Sequence, residues 1–170
     1  MNARNIFILI LIIVAAGLRI FGILPHNFSP VAAIALFGGA MLSNRALAFV
    51  APLAIMFISD LFIGFHDFMI PVYIGFMLIV LIGQVVRRKP NLLTGLAGAL
   101  AGSVLFFLIT NGAVWFGSPH YAQDLTGLLN SYALGLPFFR ATLLGDLIFA
   151  GAFFSIYELA KLRFPILAKV

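Results

Sequence analysis

The sequence predicts an all-α membrane protein of six transmembrane helices, with a short amphipathic helix before the last span. Three observations carry this reading. Of 170 residues, 64% are hydrophobic and 9% charged, a balance far too apolar for an ordinary soluble domain. The apolar residues fall into runs separated by turns rich in proline, glycine and polar side chains. The basic residues collect at alternate turns instead of forming one patch, the pattern that orientation in a membrane produces.

Asn5 to Leu24 is an apolar run of about the 20 residues a spanning helix needs. Arg4, the run Ile6 to Val14 and the small Ala15-Ala16-Gly17 also resemble a signal peptide, and the segment is read as a retained span. His26 to Pro30 makes a polar, proline-closed turn, and a second helix of mostly small residues runs from Ser29 to Leu42, short enough to be tilted or only partly spanning. This turn and helix organise the rest: small residues let helices approach closely, and the turn presents polar groups to a solute.

A third run, Leu47 to Gly64, carries Pro52 and ends in Ser59-Asp60, with Gly64-Phe65-His66-Asp67 as the next turn. The fourth, Met69 to Val86, stops at Arg87-Arg88-Lys89-Pro90, where three charges and a proline end a span. The fifth, Leu92 to Thr110, contains Gly95, Gly98 and Gly102, the last two forming a GxxxG pair that serves either internal packing or a partner surface. Asn111 to Pro137 is mixed, with a turn at Gly117-Ser118-Pro119-His120 and the amphipathic helix from Asp124 to Leu136. The last span is Phe138 to Leu162. No linker, repeat or low-complexity tract divides the chain, so residues 1–170 form one membrane domain.

With six spans, both termini, Arg45, the Arg87-Arg88-Lys89 cluster and Lys161, Arg163 and Lys169 are expected in the cytoplasm, and the protein in a bacterial inner membrane. Arg19 and Arg140 escape this rule. Both fall in the outward half of a helix, as do Asp60 and Asp146. A charge in the bilayer costs about 2.5–3.5 kcal/mol on insertion scales, so four at one depth imply mutual pairing, an aqueous cavity, or both. His26, Asn27, Ser29, His66, Asp67, Asn111 and Trp115 map to the same side. The candidate substrate-binding set is therefore Arg19, His26, Asn27, Ser29, Asp60, His66, Asn111, Trp115, Arg140 and Asp146. Each has a plainer alternative: an ion-pair network pinning helices, a solvated histidine turn, or a tryptophan anchoring the interface.

Absence of cysteine excludes disulfides and thiolate chemistry. The formal charge of +5 comes without any nucleic-acid motif, so nucleic acid is not an expected partner. No cofactor or metal is expected, and the chain has no phosphate-binding GxxxxGK[ST] loop.

The blocks His26 to Ala40, Ile58 to His66, Thr110 to Trp115 and Leu136 to Asp146 resemble those of an uncharacterised family of small bacterial membrane proteins. More distantly, the size, six helices and aspartate-bearing third helix resemble the S components of energy-coupling factor (ECF) vitamin transporters. That resemblance implies capture of a small solute such as a vitamin or cofactor precursor from outside. It also implies docking on an ECF-type T component that works with ATPases. S components that bind cobalamin exist, and at least one places a cysteine near the cobalt. Here only a histidine such as His26 or His66 could serve. The expected function is thus a membrane-embedded substrate-binding subunit rather than an enzyme. The rivals are an intramembrane enzyme using Asp and His acid–base chemistry, and a structural assembly subunit.

Overall fold

The computed structural model describes residues 3–21 and 23–168; the side chains of residues 19, 20, 63 and 168 lie outside that description. The expectations for Arg19 and Lys169 therefore fall outside the described residues. Six α-helices follow one another: α1 (Ala3–Ile20), α2 (Val31–Met41), α3 (Arg45–Ile63), α4 (Met69–Val86), α5 (Leu92–Gly117) and α6 (Leu125–Arg163), with a 3-10 turn at Pro165–Ala168. Among the described residues there is no strand. α3 to α6 are long and apolar enough to cross a membrane, whereas α1 and α2 are shorter apolar helices.

α2 is the hub. Ten of its 11 residues are buried, and it packs against each of the other five α-helices. A helix apolar on every side is stable only when enclosed, and α2 reaches that enclosure because its small residues admit neighbouring backbones. A side-chain carbon placed on Gly39 would strike the Val80 carbonyl, and one on Gly83 would strike the Leu36 carbonyl and lie 3.0 Å from Gly39 Cα. Phe37 fills the opposite side, its ring 5.4 Å from Phe153, 5.3 Å from Phe154 and 6.0 Å from Tyr157. Buried aromatic contacts of this kind add to the area they remove from solvent.

The GxxxG stripe of α5 serves the interior. Gly95 accommodates the Phe154 ring, Gly98 the Leu36 and Val86 side chains, and Gly102 the Ile79 side chain. Ala97, Leu100, Ala101 and Val104 of the same helix face outward.

Two expectations need correction. α5 does not end at Thr110 but continues to Gly117, and the amphipathic segment from Asp124 is not a separate helix but the first third of α6, which runs through Pro137 unbroken. Proline removes one backbone hydrogen bond, yet α6 is held to α5 on both sides of it. Ser131 Oγ donates to the Asn111 carbonyl at 3.3 Å, Tyr132 Oη to the Leu108 carbonyl at 3.1 Å, and the Phe107 ring stacks 4.7 Å from Phe139. Packing overrides the local breaker. The helix starts themselves follow local chemistry: Asn91 and Thr94 form a capping box, Asn44 caps α3 by accepting from Leu47 N, and Asp124 caps α6 by accepting from Gly127 N.

The helices alternate in direction, so one end of the bundle carries Arg4, Arg45, Arg87, Arg88, Lys89, Lys161 and Arg163. There Arg87 Nη1 donates to the Leu42 carbonyl at 3.1 Å, closing the C-terminal end of α2 with a cation. Asn5 Oδ1 accepts from Ser43 Oγ at 3.2 Å, tying α1 to the same point.

Gly39→Ala and Gly83→Ala should each lower the unfolding free energy in detergent by about 1–3 kcal/mol, the usual cost of overpacking. Gly151→Ala, where an added carbon meets only Leu96 at an ordinary 3.7 Å, should leave it unchanged. Equal midpoints for all three variants in thermal unfolding would remove the α2–α4 contact from its central role.

Candidate functional site, a polar cavity beneath the turn before α2

α2 begins well inside the bundle. A side-chain carbon on Gly145 would lie 3.3 Å from Ser29 N and 3.4 Å from Phe28 Cα, so the turn before α2 rests against the middle of α6. The Phe28 ring, 5.6 Å from Phe149, holds it there. The turn is closed by Phe28 N donating to the Pro25 carbonyl at 3.1 Å. Its third residue, Asn27, has φ 61°, the one positive φ among described non-glycine residues. Asparagine tolerates that left-handed conformation better than most residues.

Irregular backbone placed at the depth of neighbouring helices must line a cavity or be covered by protein. Here it lines a half-open cavity of about 180 Å³ bounded by Asn27, Ser29, Val31, Ala32, Met56, His66, Val72, Phe76, Phe106, Thr142 and Asp146. A second chamber of about 110 Å³ adjoins it between α5 and α6 and shares Asn27, Phe106 and Thr142. Five helices, the turn before α2 and the turn between α3 and α4 thus contribute walls.

Asp146 is 2% exposed and forms the polar floor. Its Oδ2 accepts from Ser103 Oγ at 2.6 Å, and the same hydroxyl lies 2.8 Å from the Ala99 carbonyl. Thr142, one turn before Asp146, lies on the same face of α6, and its Oγ1 donates to the Phe138 carbonyl at 3.2 Å. The Phe76 and Phe106 rings, centroids 5.0 Å apart, form the apolar wall.

Of the expected site residues, Asn27, Ser29, His66 and Asp146 converge on the larger chamber, and Asn111 lines the smaller one. His26 is exposed on the turn. Asp60 is 3% exposed and accepts from Tyr73 Oη at 2.8 Å, joining α3 to α4 away from both chambers. Trp115 Nε1 donates to the Ala122 carbonyl at 2.9 Å, clasping the α5–α6 connection. Arg140 is exposed and lies 15 residues into the unbroken α6 rather than near a helix start. It pairs with neither aspartate, which corrects the Arg140 part of the expected neutralisation, the Arg19 part lying outside the described side chains: on a 100° per residue helix, positions 140 and 146 stand about 120° apart. Ser103, Phe106 and Thr142 were not among the expected site residues. The spacing of Thr142 from Asp146 was visible in the sequence, whereas the meeting of Ser103 with Asp146 across two helices was not.

Among the described residues no three His, Cys, Asp or Glu side chains converge as a metal site. The arrangement offers hydrogen-bond acceptors at its floor, amide and hydroxyl groups at its rim, and two aromatic rings.

Fold and cavity together define a helical protein of membrane type with a half-open chamber of mixed polar and apolar lining. The chain belongs to a family of unknown function, DUF6580, whose model matches residues 1–167. No curated protein and no solved structure matches it.

Asn27→Gly should preserve the turn, whereas Asn27→Val should cost about 1–3 kcal/mol through left-handed strain, measured by denaturant titration in detergent. Ser103→Ala should cost about 1–3 kcal/mol by leaving the buried Asp146 carboxyl without its partner. In a double-mutant cycle with Asp146→Leu that loss should largely vanish; strictly additive losses would show that the two groups are not coupled.

Proposed function

We propose that this protein is a membrane-embedded binding subunit for uptake of a small polar solute, with the cavity facing outside. The carrying observation is the chamber floored by Asp146 beneath irregular backbone in the middle of the bundle, the kind of place where helix interruptions build solute sites in transporters. In this reading α1 and α2 complete six passes, and the basic end with both termini lies in the cytoplasm of a bacterial inner membrane, as the positive-inside rule favours. The protein binds and releases its solute and carries out no chemistry on it. ATP coupling comes from separate subunits, of which an ECF-type T component with its ATPases is the model suggested by the S-component resemblance.

Cavity size narrows the solute. Chambers of about 180 and 110 Å³ are small beside the roughly 300–1,000 Å³ of drug-sized ligand sites, so cobalamin is too large for this state. Acceptors at the floor and paired phenyl rings on the wall suit a compact molecule with a hydroxyl or ammonium donor. Closure of the turns at His26 to Pro30 and Gly64 to Asp67 is the gating motion in this mechanism. Gly64 has φ 107°, with open space around it.

Native mass spectrometry of gently extracted protein should show a retained small molecule. Thr142→Phe, which fills the junction of the two chambers, and Asp146→Ala, which removes the acceptor at the floor, should each reduce retention at least about tenfold, a change of about 1.4 kcal/mol. Arg140→Ala should leave it intact. Undiminished retention in Thr142→Phe would place the solute elsewhere, and conversion of the retained molecule by the purified chain alone would favour the acid–base enzyme, for which His66 and Asp146 share a wall.

A further inference from the structure

The opposite end of the bundle carries a second feature, independent of the solute cavity. Arg45, Arg87 and Arg88, with Leu81, Gln84 and Val85, line an open groove of about 530 Å³ where α3 starts and α4 stops. Three guanidinium groups facing one groove repel one another unless an anion intervenes. Among the described residues none of them has a carboxylate partner. The chain has five acidic residues; at this end there is Glu158, already held by Lys161 at 2.8 Å. The other four lie in the middle or towards the far end. Arg87 uses one donor on the Leu42 carbonyl, which fixes its plane and leaves further N–H groups for the groove.

The groove is also amphiphilic in a definite direction. Positions 81, 84 and 85 follow the i, i+3, i+4 spacing of one α4 stripe, and Arg88 stands in the turn just beyond its end. Leu81 is 46% and Val85 64% exposed, so an apolar ledge leads from the bundle wall up to the arginines. A free anion would use the guanidinium groups and leave this ledge bare. A molecule with a phosphate head and an acyl tail uses both.

We propose that this groove is a binding site for an anionic phospholipid, its phosphate held by Arg45, Arg88 and Arg87 and its chain lying along Leu81 and Val85. Arginine suits the role because its planar fork engages phosphate oxygens two at a time. The bound lipid supplies the counter-charge that the chain itself lacks and bridges the start of α3 to the end of α4.

The test is thermal unfolding of the full chain in detergent, titrated with phosphatidylglycerol, with phosphatidylcholine of the same chains, and with soluble glycerol phosphate. Phosphatidylglycerol should raise the midpoint and the other two should not. Arg45 and Arg88 are exposed, so Arg45→Gln with Arg88→Gln should fold normally and need about 30-fold more phosphatidylglycerol for half its effect, at about 1 kcal/mol per surface cation. Arg163→Gln, also exposed at this end, should respond as the parent does. A full response in the double variant, an equal loss in Arg163→Gln, or an equal midpoint rise with soluble glycerol phosphate would each overturn the proposal. The first two outcomes point to diffuse surface charge and the third to a soluble anion. Arg45→Lys with Arg88→Lys, which keeps the charge but loses the planar fork, should respond between the parent and the glutamine pair and guards against misfolding of the latter.

Discussion

Gly39 on α2 and Gly83 on α4 meet backbone to backbone, and the rest of the bundle is arranged around that approach. Because α2 is drawn against α4 on one side, Phe37 on its other side is met by Phe153, Phe154 and Tyr157 of α6. The α5 glycines then let Leu36, Ile79, Val86 and Phe154 seat themselves. In lipid there is little hydrophobic gain from helix association, so close van der Waals contact through small residues supplies much of the attraction. One enclosed helix of 11 residues, about 16 Å long, thus sets the positions of five others.

The shortness of α2 is also the origin of the cavity. A helix that starts partway along its neighbours leaves space between its start and their ends, and the chain entering it carries irregular, polar backbone to that depth. Polar side chains gather where such backbone has to be solvated. Asp146, Ser103, Thr142 and Asn27 occupy the break, while Asp60 and Trp115 are taken up by contacts that hold the surrounding walls together. The residues around the break divide between those that line the space and those that keep it open.

The two ends of the protein differ in electrostatic character for related reasons. At the basic end, the Arg87 guanidinium closes the C-terminus of α2. At the other end, aspartate and amide groups surround a chamber with no described arginine in its lining.

The apolar helical runs and the basic end were legible because each depends on neighbours in sequence: apolar run length and the Arg87-Arg88-Lys89 stop. Pro137 misled, since its local breaking tendency is real but the α5 contacts on either side outweigh it. The reading of Arg140 and Asp146 as sharing one depth ignores azimuth: six residues apart on one helix, the first is exposed and the second buried. The sequence by itself determined an apolar helical chain with one charged end and a polar turn before a small-residue helix, because composition and short-range spacing suffice for that. Only the tertiary structure decided that the glycines face inward, that Ser103 meets Asp146, and that the turn lies over a chamber, because each depends on the rotation of one helix against another, which no single helix encodes.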